Sequence, residues 1–405
     1  MTDGTAPKGA GKQAALTRAK AGKNPLRALR DVGQSIWLDY IHRGILRSGE
    51  LRRFVEDDGI SGVTSNPTIF EKAITGSTDY DAALAALVAE GKTAAEIYEA
   101  LVVDDIRGAC DVLRPVFDET HGADGYVSVE VSPLLAADTA GTVQEVRRWT
   151  GLISRPNLMV KIPGTPEGIP AIEEMIAEGR SINITLIFSL EMYRRVIEAY
   201  LRGLERRAAA GQPLHQIASV ASFFVSRIDT EADTRLEARA KAASDPAEAA
   251  RVRSLEGKVA IANAKLAYLM FRETFTSARF QTLANRGARV QRPLWASTST
   301  KNPAYPDLLY VESLIGPDTV NTLPPQTIAA FRDHGRVIPG AVMKDVDGAR
   351  RVFADLAAVG ISLDDVTQTV LENGVKLFSD SFRQLLESIE SRRQGMPGTR
   401  PAPAR

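Results

Sequence analysis

Short apolar runs alternate with amphipathic stretches along most of this chain. Each run is followed by a polar loop and then by apolar positions at helical spacing. The candidate strands lie at 35–39, 60–64, 126–130, 158–162, 181–187, 217–222, 293–297 and 319–322. Eight such units predict an α/β protein, a closed (β/α)8 TIM barrel with additional helices, rather than an open sheet. Helical runs fill the long intervals at 82–90 and 94–117, and from 234 to 285 with a break near Ser244-Asp245-Pro246. The segment 345–390 reads as two or three helices, with Asn373-Gly374 at the start of the last or in a turn just before it. No linker rich in Gly, Ser or Pro divides the core, so residues 26–390 are expected to form one barrel domain with helical insertions and C-terminal helices. Residues 1–25, rich in Gly, Ala and Lys, read as a flexible tail, with a helix from Ala14 onward left open. Residues 391–405, with their prolines and arginines, read as a disordered second tail.

One residue breaks the apolar pattern of the fourth strand. Lys161 sits inside Asn157-Leu158-Met159-Val160-Lys161-Ile162-Pro163. A buried ammonium must be paired or lose its proton. A neutral lysine amine is a nucleophile, and its common use is a Schiff base with a ketone or aldehyde. Glu130, in Val127-Ser128-Val129-Glu130-Val131, is its obvious partner, and a purely structural buried pair would also explain both residues.

The other strand ends are polar as well. Barrel chemistry sits where strands end and βα loops begin. Those ends carry Asp39, Thr64-Ser65-Asn66, Glu130, Lys161, Asn183 with Thr185, Ser222 with Arg227, and Ser297 through Lys301. Taken singly, each has a bland reading. Asp39 can cap a helix or pair with Arg43, Asn66-Pro67 can be only a turn, and Asn183 can be a lone buried amide. Together they converge on one end of one barrel. A Schiff-base enzyme needs an amine, proton donors and acceptors for the carbinolamine, and a base for carbon–carbon cleavage. Lys161 supplies the amine, and Asp39 and Glu130 supply two carboxylates with different surroundings. Asn66 and Asn183 suit substrate hydroxyls, and Thr185 suits a water near the amine.

Two later loops suit a phosphate dianion: Ser222-Phe223-Phe224-Val225-Ser226-Arg227 and Ser297-Thr298-Ser299-Thr300-Lys301. Hydroxyl-rich turns are common, so a plain loop is an equal reading for each. The run Ile162 to Gly168 lacks the Gly-Lys-Ser/Thr ending of a P-loop and reads as a tight turn, with Thr165 as a helix cap.

Charge adds an exclusion. Lys plus Arg equals Asp plus Glu at 50 each, giving no bulk attraction to nucleic acid or anionic membrane, and neither is expected as a partner. The lone Cys110 rules out an internal disulfide framework and reads as a packed helix residue. Four scattered histidines show no metal-ligand spacing, so no metal is expected. No stretch is apolar enough to span a bilayer and no secretory signal is visible, so a cytoplasmic location is expected.

The motifs, in order, resemble those of the transaldolase family, in its longer bacterial branch. The matching pieces are Trp37-Leu38-Asp39, the run Gly62 to Phe70, Val127 to Val131, Met159 to Thr165, Ile182 to Ser189, and Leu294 to Thr298. The resemblance implies transfer of a dihydroxyacetone unit from sedoheptulose 7-phosphate to glyceraldehyde 3-phosphate, giving erythrose 4-phosphate and fructose 6-phosphate. That reaction belongs to the non-oxidative pentose phosphate pathway, needs no cofactor, and takes sugar phosphates as its partners. It implies Lys161 as the Schiff-base residue, Glu130 acting through a water held with Thr185, and Asp39 as the base at the C4 hydroxyl. Asn66, Asn183 and Ser222 would bind the three-carbon unit, with Phe224 beside them. Arg227, Ser297 and Lys301 would take the phosphate. The chain departs from shorter members at Phe223, where they often have proline, and at Lys301, where they carry arginine. A monomer or a homodimer is compatible with the resemblance. A Schiff-base aldolase releasing free dihydroxyacetone, or a silent barrel used as a scaffold, would share much of this sequence.

Overall fold

The computed structural model describes residues 24–395. Eight parallel strands close into a barrel in sequence order: β1 (Gln34–Leu38), β2 (Gly62–Thr64), β3 (Tyr126–Glu130), β4 (Leu158–Pro163), β5 (Ile182–Ile187), β6 (Ser219–Phe224), β7 (Gln291–Ala296) and β8 (Thr319–Leu323). Nearly every strand residue is buried, because helices cover the outside and side chains fill the inside. The (β/α)8 expectation therefore holds, and the closure gives one end for all eight βα loops. Close packing is visible at Gly62, where a Cβ would stand 2.4 Å from the Trp37 indole, so only glycine fits.

Register places the chemistry. Glu130 on β3 faces Lys161 on β4, and Lys161 faces Asn183 on β5. Between β5 and β6 the register shifts, with Ile184 opposite Ala221 and Ile187 opposite Phe223. Two β5 residues, Thr185 and Leu186, thus span the single position of Ser222. Leu186 takes a φ of 57° there, a left-handed conformation rare for a branched side chain. Such a bulge re-aims neighbouring side chains.

The helical additions follow the sequence with more breaks than expected. A capping box of Thr93 and Glu96 starts the helix Ala94–Glu119. After β6 come the helices Ser226–Ala242, Pro246–Arg253, Val259–Phe275 and Ala278–Ala284. Asp245 caps the second by accepting from the Ala247 N–H at 2.9 Å, at the expected break. None of the described helices is long and apolar enough to cross a membrane.

Two expectations at the C-terminus are corrected. Asn373-Gly374 is neither a helix start nor a turn: the helix Leu363–Gly395 runs through it unbroken. The glycine is there for packing. A Cβ on Gly374 would meet Leu186 Cδ2 at 3.1 Å and an Arg227 guanidinium nitrogen at 3.4 Å. The helix therefore lies close over the barrel mouth. Residues 391–395, assigned from sequence to the second tail, continue this helix, with Arg392 paired to Asp81 at 3.1 Å and Arg393 to Glu390 at 2.7 Å. At the other end, Asn24 caps the helix Pro25–Asp31, within the segment assigned to the first tail. The helix left open from Ala14 lies outside the described residues, as does the tail beyond residue 395.

Candidate active site

A cavity of about 330 Å³ opens at the C-terminal ends of the strands. Lys161 lies at its floor and is 5% exposed. Its Nζ is 3.3 Å from Glu130 Oε2 and donates to the Ser65 carbonyl at 3.1 Å. Glu130 itself is 8% exposed and is not on the cavity wall; it backs the lysine from the neighbouring strand. Burial pushes the Glu130 carboxyl above its ordinary range, and the Lys161 charge holds it back down. The two groups stand close enough to exchange a proton, and the carboxylate reaches the cavity only past the amine.

Thr185 lines the same floor, and its buried Oγ1 has no hydrogen-bond partner among the described residues. A buried hydroxyl left unsatisfied costs about 1–3 kcal/mol. The bulge in β5 is the local reason for its position, since the ladder to β6 is interrupted beside it.

Asp39 follows β1 and is half-buried on the cavity wall, where its Oδ1 accepts from Thr64 Oγ1 at 2.7 Å. It does not pair with Arg43. That arginine turns away to Asp105 at 2.8 Å and stacks over the Tyr80 ring at 4.7 Å. The bland reading of Asp39 as a partner of Arg43 is therefore replaced by a carboxylate open to the cavity.

Asn66 combines two tasks. Its Oδ1 accepts the Ile69 N–H at 2.9 Å and caps the helix Pro67–Thr75, while the residue lines the cavity. Its amide nitrogen has no partner among the described residues and remains available to a ligand. Asn183 differs. It is fully buried below the cavity floor, donating to Ser128 Oγ at 3.1 Å and accepting from Ser222 Oγ at 2.7 Å. Ser222, which it holds in place, does line the cavity.

Cations gather toward the mouth. Arg227 lies between two rings, 5.5 Å from the Phe224 centroid and 5.8 Å from that of Phe378. It makes neither a hydrogen bond nor an ion pair among the described residues. Burial lowers its pKa, while Glu130 and Asp39 act against that. Lys301 donates to Ser299 Oγ at 2.8 Å. Its pKa is lowered by burial and then by the Arg227 charge, with Lys72 adding to the repulsion. Ser297, at a φ of 57°, shares a hydroxyl contact with Ser226 at 3.0 Å and also faces the cavity. Three cations held near one another, with no carboxylate clamp among the described residues, fit an incoming dianion.

Lys72, Gln326, Leu377 and Phe378 line the cavity but were not singled out from sequence. For Lys72 a signal existed. Thr68 and Lys72 stand four apart on the helix Pro67–Thr75, which starts at Asn66, so both share one face. Gln326 follows β8, and Leu377 and Phe378 come from the helix Leu363–Gly395, whose return over the mouth no local pattern announces.

The chain is similar to known proteins along most of its length. The family described as Transaldolase/Fructose-6-phosphate aldolase matches residues 36–389. A transaldolase of Trichodesmium erythraeum is 47% identical over 371 residues, covering 91% of this chain and 97% of the relative. "Transaldolase 2" of Nostoc punctiforme is 50% identical over 91% of this chain and 97% of its own length. A transaldolase of Thermobifida fusca is 49% identical over 90% and 97%.

Proposed function

The chain belongs to the transaldolase/fructose-6-phosphate aldolase family, and on that premise we propose that its barrel runs the transaldolase reaction on Lys161. A dihydroxyacetone unit passes from a ketose phosphate, sedoheptulose 7-phosphate, to an aldose phosphate, glyceraldehyde 3-phosphate. Erythrose 4-phosphate and fructose 6-phosphate result.

The observation that carries this reading is the buried Lys161–Glu130 pair beside the orphan Thr185 hydroxyl, at the floor of a cavity rimmed by cations. Glu130 takes a proton from the Lys161 ammonium, and the freed amine adds to the ketose C2 carbonyl. The carbinolamine loses its hydroxyl as water, with Glu130 returning the proton through a water bonded to Thr185. The product is a protonated imine.

Asp39 then takes the proton of the C4 hydroxyl. The C3–C4 bond breaks, C4 leaves as an aldehyde, and the bonding electrons move into the imine as an enamine. A second aldehyde enters, the enamine carbon attacks it, and Asp39 returns the proton to the new hydroxyl. Hydrolysis of the imine restores the lysine and releases the product.

Asn66 and Ser222 orient the hydroxyls of the held fragment, and Asn183 fixes Ser222 from below. Arg227 and Lys301 bind the phosphate, with Lys72 as a third cation on the helix after β2 and with Ser297 and Phe224 shaping the pocket. The test is product analysis with fructose 6-phosphate as donor. With erythrose 4-phosphate added, sedoheptulose 7-phosphate is expected; without acceptor, release of dihydroxyacetone is expected to be far slower. Equal turnover with and without acceptor would make the protein an aldolase instead.

A further inference from the structure

The opposite end of the barrel holds a second cavity, of about 520 Å³, between the loops that lead into β3, β4, β5, β6 and β7. Arg155, Arg180 and Arg289 line it together with His121 and His215, and no Asp or Glu among the described residues does. The three arginines are not equivalent. Arg155 is neutralised by a two-point pair with Asp111, at 2.6 and 3.1 Å. Arg289 spends two nitrogens on the carbonyls of Gly122 and His121, which fix its guanidinium without cancelling its charge. Arg180 has neither an ion pair nor a side-chain hydrogen bond among the described residues, and its Nε is a buried donor with no partner.

A role in stability alone does not account for this wall. The N-terminal end of such a barrel ordinarily serves packing. Packing would pair Arg180, since a buried unmatched donor costs about 1–3 kcal/mol. Three carboxylates on the flanking helices are engaged elsewhere: Glu178 holds Arg147, Asp111 holds Arg155 and Asp118 holds Arg114. A fixed guanidinium and a free one on the same wall match the oxygens of a phosphate, which guanidinium groups clasp at two points. Beside the polar Thr150, Ser181 and Gln216, the wall carries an apolar stretch. Phe117 stands edge-on to the buried Tyr126 ring at 5.4 Å, and Leu158 lies beside them. That shelf suits a flat ring rather than a second phosphate.

We propose that this cavity is a second ligand site, separate from Lys161, for a phosphomonoester carried on a planar ring. The phosphate sits between Arg180 and Arg289, and the ring covers Phe117 and Leu158. A mononucleotide has this chemistry. β4 runs between the two sites, with Leu158 at the lower cavity and Lys161 at the upper one, so occupancy below can bear on the position of the lysine.

The test is calorimetric titration of the full chain with adenosine monophosphate, inorganic phosphate and adenosine, using wild type, Arg180→Gln, Arg180→Lys and Arg227→Gln. One site for adenosine monophosphate is expected, unchanged in R227Q and weakened about tenfold or more in R180Q, with R180K between them, as for loss of a charge-assisted contact. Melting of R180Q at or above the wild-type temperature confirms that the fold is intact. No binding by wild type at millimolar ligand, equal affinity in R180Q, or loss of the site in R227Q would overturn the proposal. Inorganic phosphate binding as tightly as the nucleotide would remove the ring from it.

Discussion

Lys161 Nζ and Glu130 Oε2 stand 3.3 Å apart because their residues face each other directly across β3 and β4. The lysine is the member of the pair that reaches the cavity, and the glutamate lies behind it. Burial raises the glutamate's pKa, which makes it a better proton acceptor for an ammonium 3.3 Å away. Replacing it with Glu130→Gln leaves the lysine with a neutral neighbour. Imine formation is expected to slow by about 10²-fold or more, the typical loss of a general base. Rapid-quench trapping measures this directly. An unchanged rate would reduce the pair to a packing role.

Thr185 offers a sharper separation of stability from activity. Its hydroxyl is buried with no partner among the described residues, which leaves it free to hold a water, and Thr185→Val removes that site at nearly constant volume. Stability is expected to change by less than about 1 kcal/mol, since the lost hydrogen bond to water is offset by the easier burial of a methyl group. Turnover is expected to fall about tenfold or more, because the water serving carbinolamine dehydration loses its anchor. Thermal melting and steady-state kinetics on one preparation check both. A variant of unchanged stability and full activity would remove Thr185 from the chemistry.

Phe378 reaches Arg227 from a helix more than a hundred residues away in sequence. Phe378→Leu keeps most of the apolar volume but removes one face of the ring sandwich around the guanidinium. A cation–π contact is worth about 0.5–2 kcal/mol, so KM for phosphorylated sugars is expected to rise about two- to thirtyfold. The rate constant at saturation is expected to change little, since the phosphate lies away from the bond that breaks. Lys72→Gln is expected to act in the same direction. A fall in kcat with KM unchanged would place both residues elsewhere in the mechanism.

Behind β6, a buried carboxyl predicts a pH effect on folding that is unrelated to turnover. Asp229 accepts the Ala260 N–H at 2.7 Å and the Tyr310 hydroxyl at 2.9 Å, and burial raises its pKa to about 7. In the unfolded chain it titrates near 3.8. Between those values the native state holds the extra proton, so its contribution is full below the lower value and is lost as pH rises through the upper one. The melting temperature is expected to fall from pH 5 to pH 8 by more in wild type than in Asp229→Asn. Parallel curves for the two proteins would show that Asp229 keeps its charge in the fold.

The strands were the most legible part of this molecule, because a strand covered on both faces is an apolar run with little else in it. Their ends were less so. β6 lies at Ser219–Phe224, shifted from the expected 217–222, since Phe223 and Phe224 continue the ladder to Trp295 and Ala296. Lys161 and Glu130 were legible because charge in a buried strand is costly. Asn183 stands out in the sequence as a polar residue in a buried strand, but only the fold shows it below the floor, bonded to Ser128 and Ser222. Gly374 was misread because glycine near asparagine signals a turn, whereas here it lets a helix approach Leu186 and Arg227. Lys72, Leu377 and Phe378 stayed hidden because their place depends on how distant helices return over the mouth.

The central claim is that Lys161 forms the covalent intermediate. Incubation with fructose 6-phosphate, reduction with borohydride and peptide mass mapping test it most directly. A reduced three- or six-carbon adduct on Lys161 is the expected result, with none in Lys161→Ala. An adduct on another lysine, or normal turnover by the alanine variant, would contradict it.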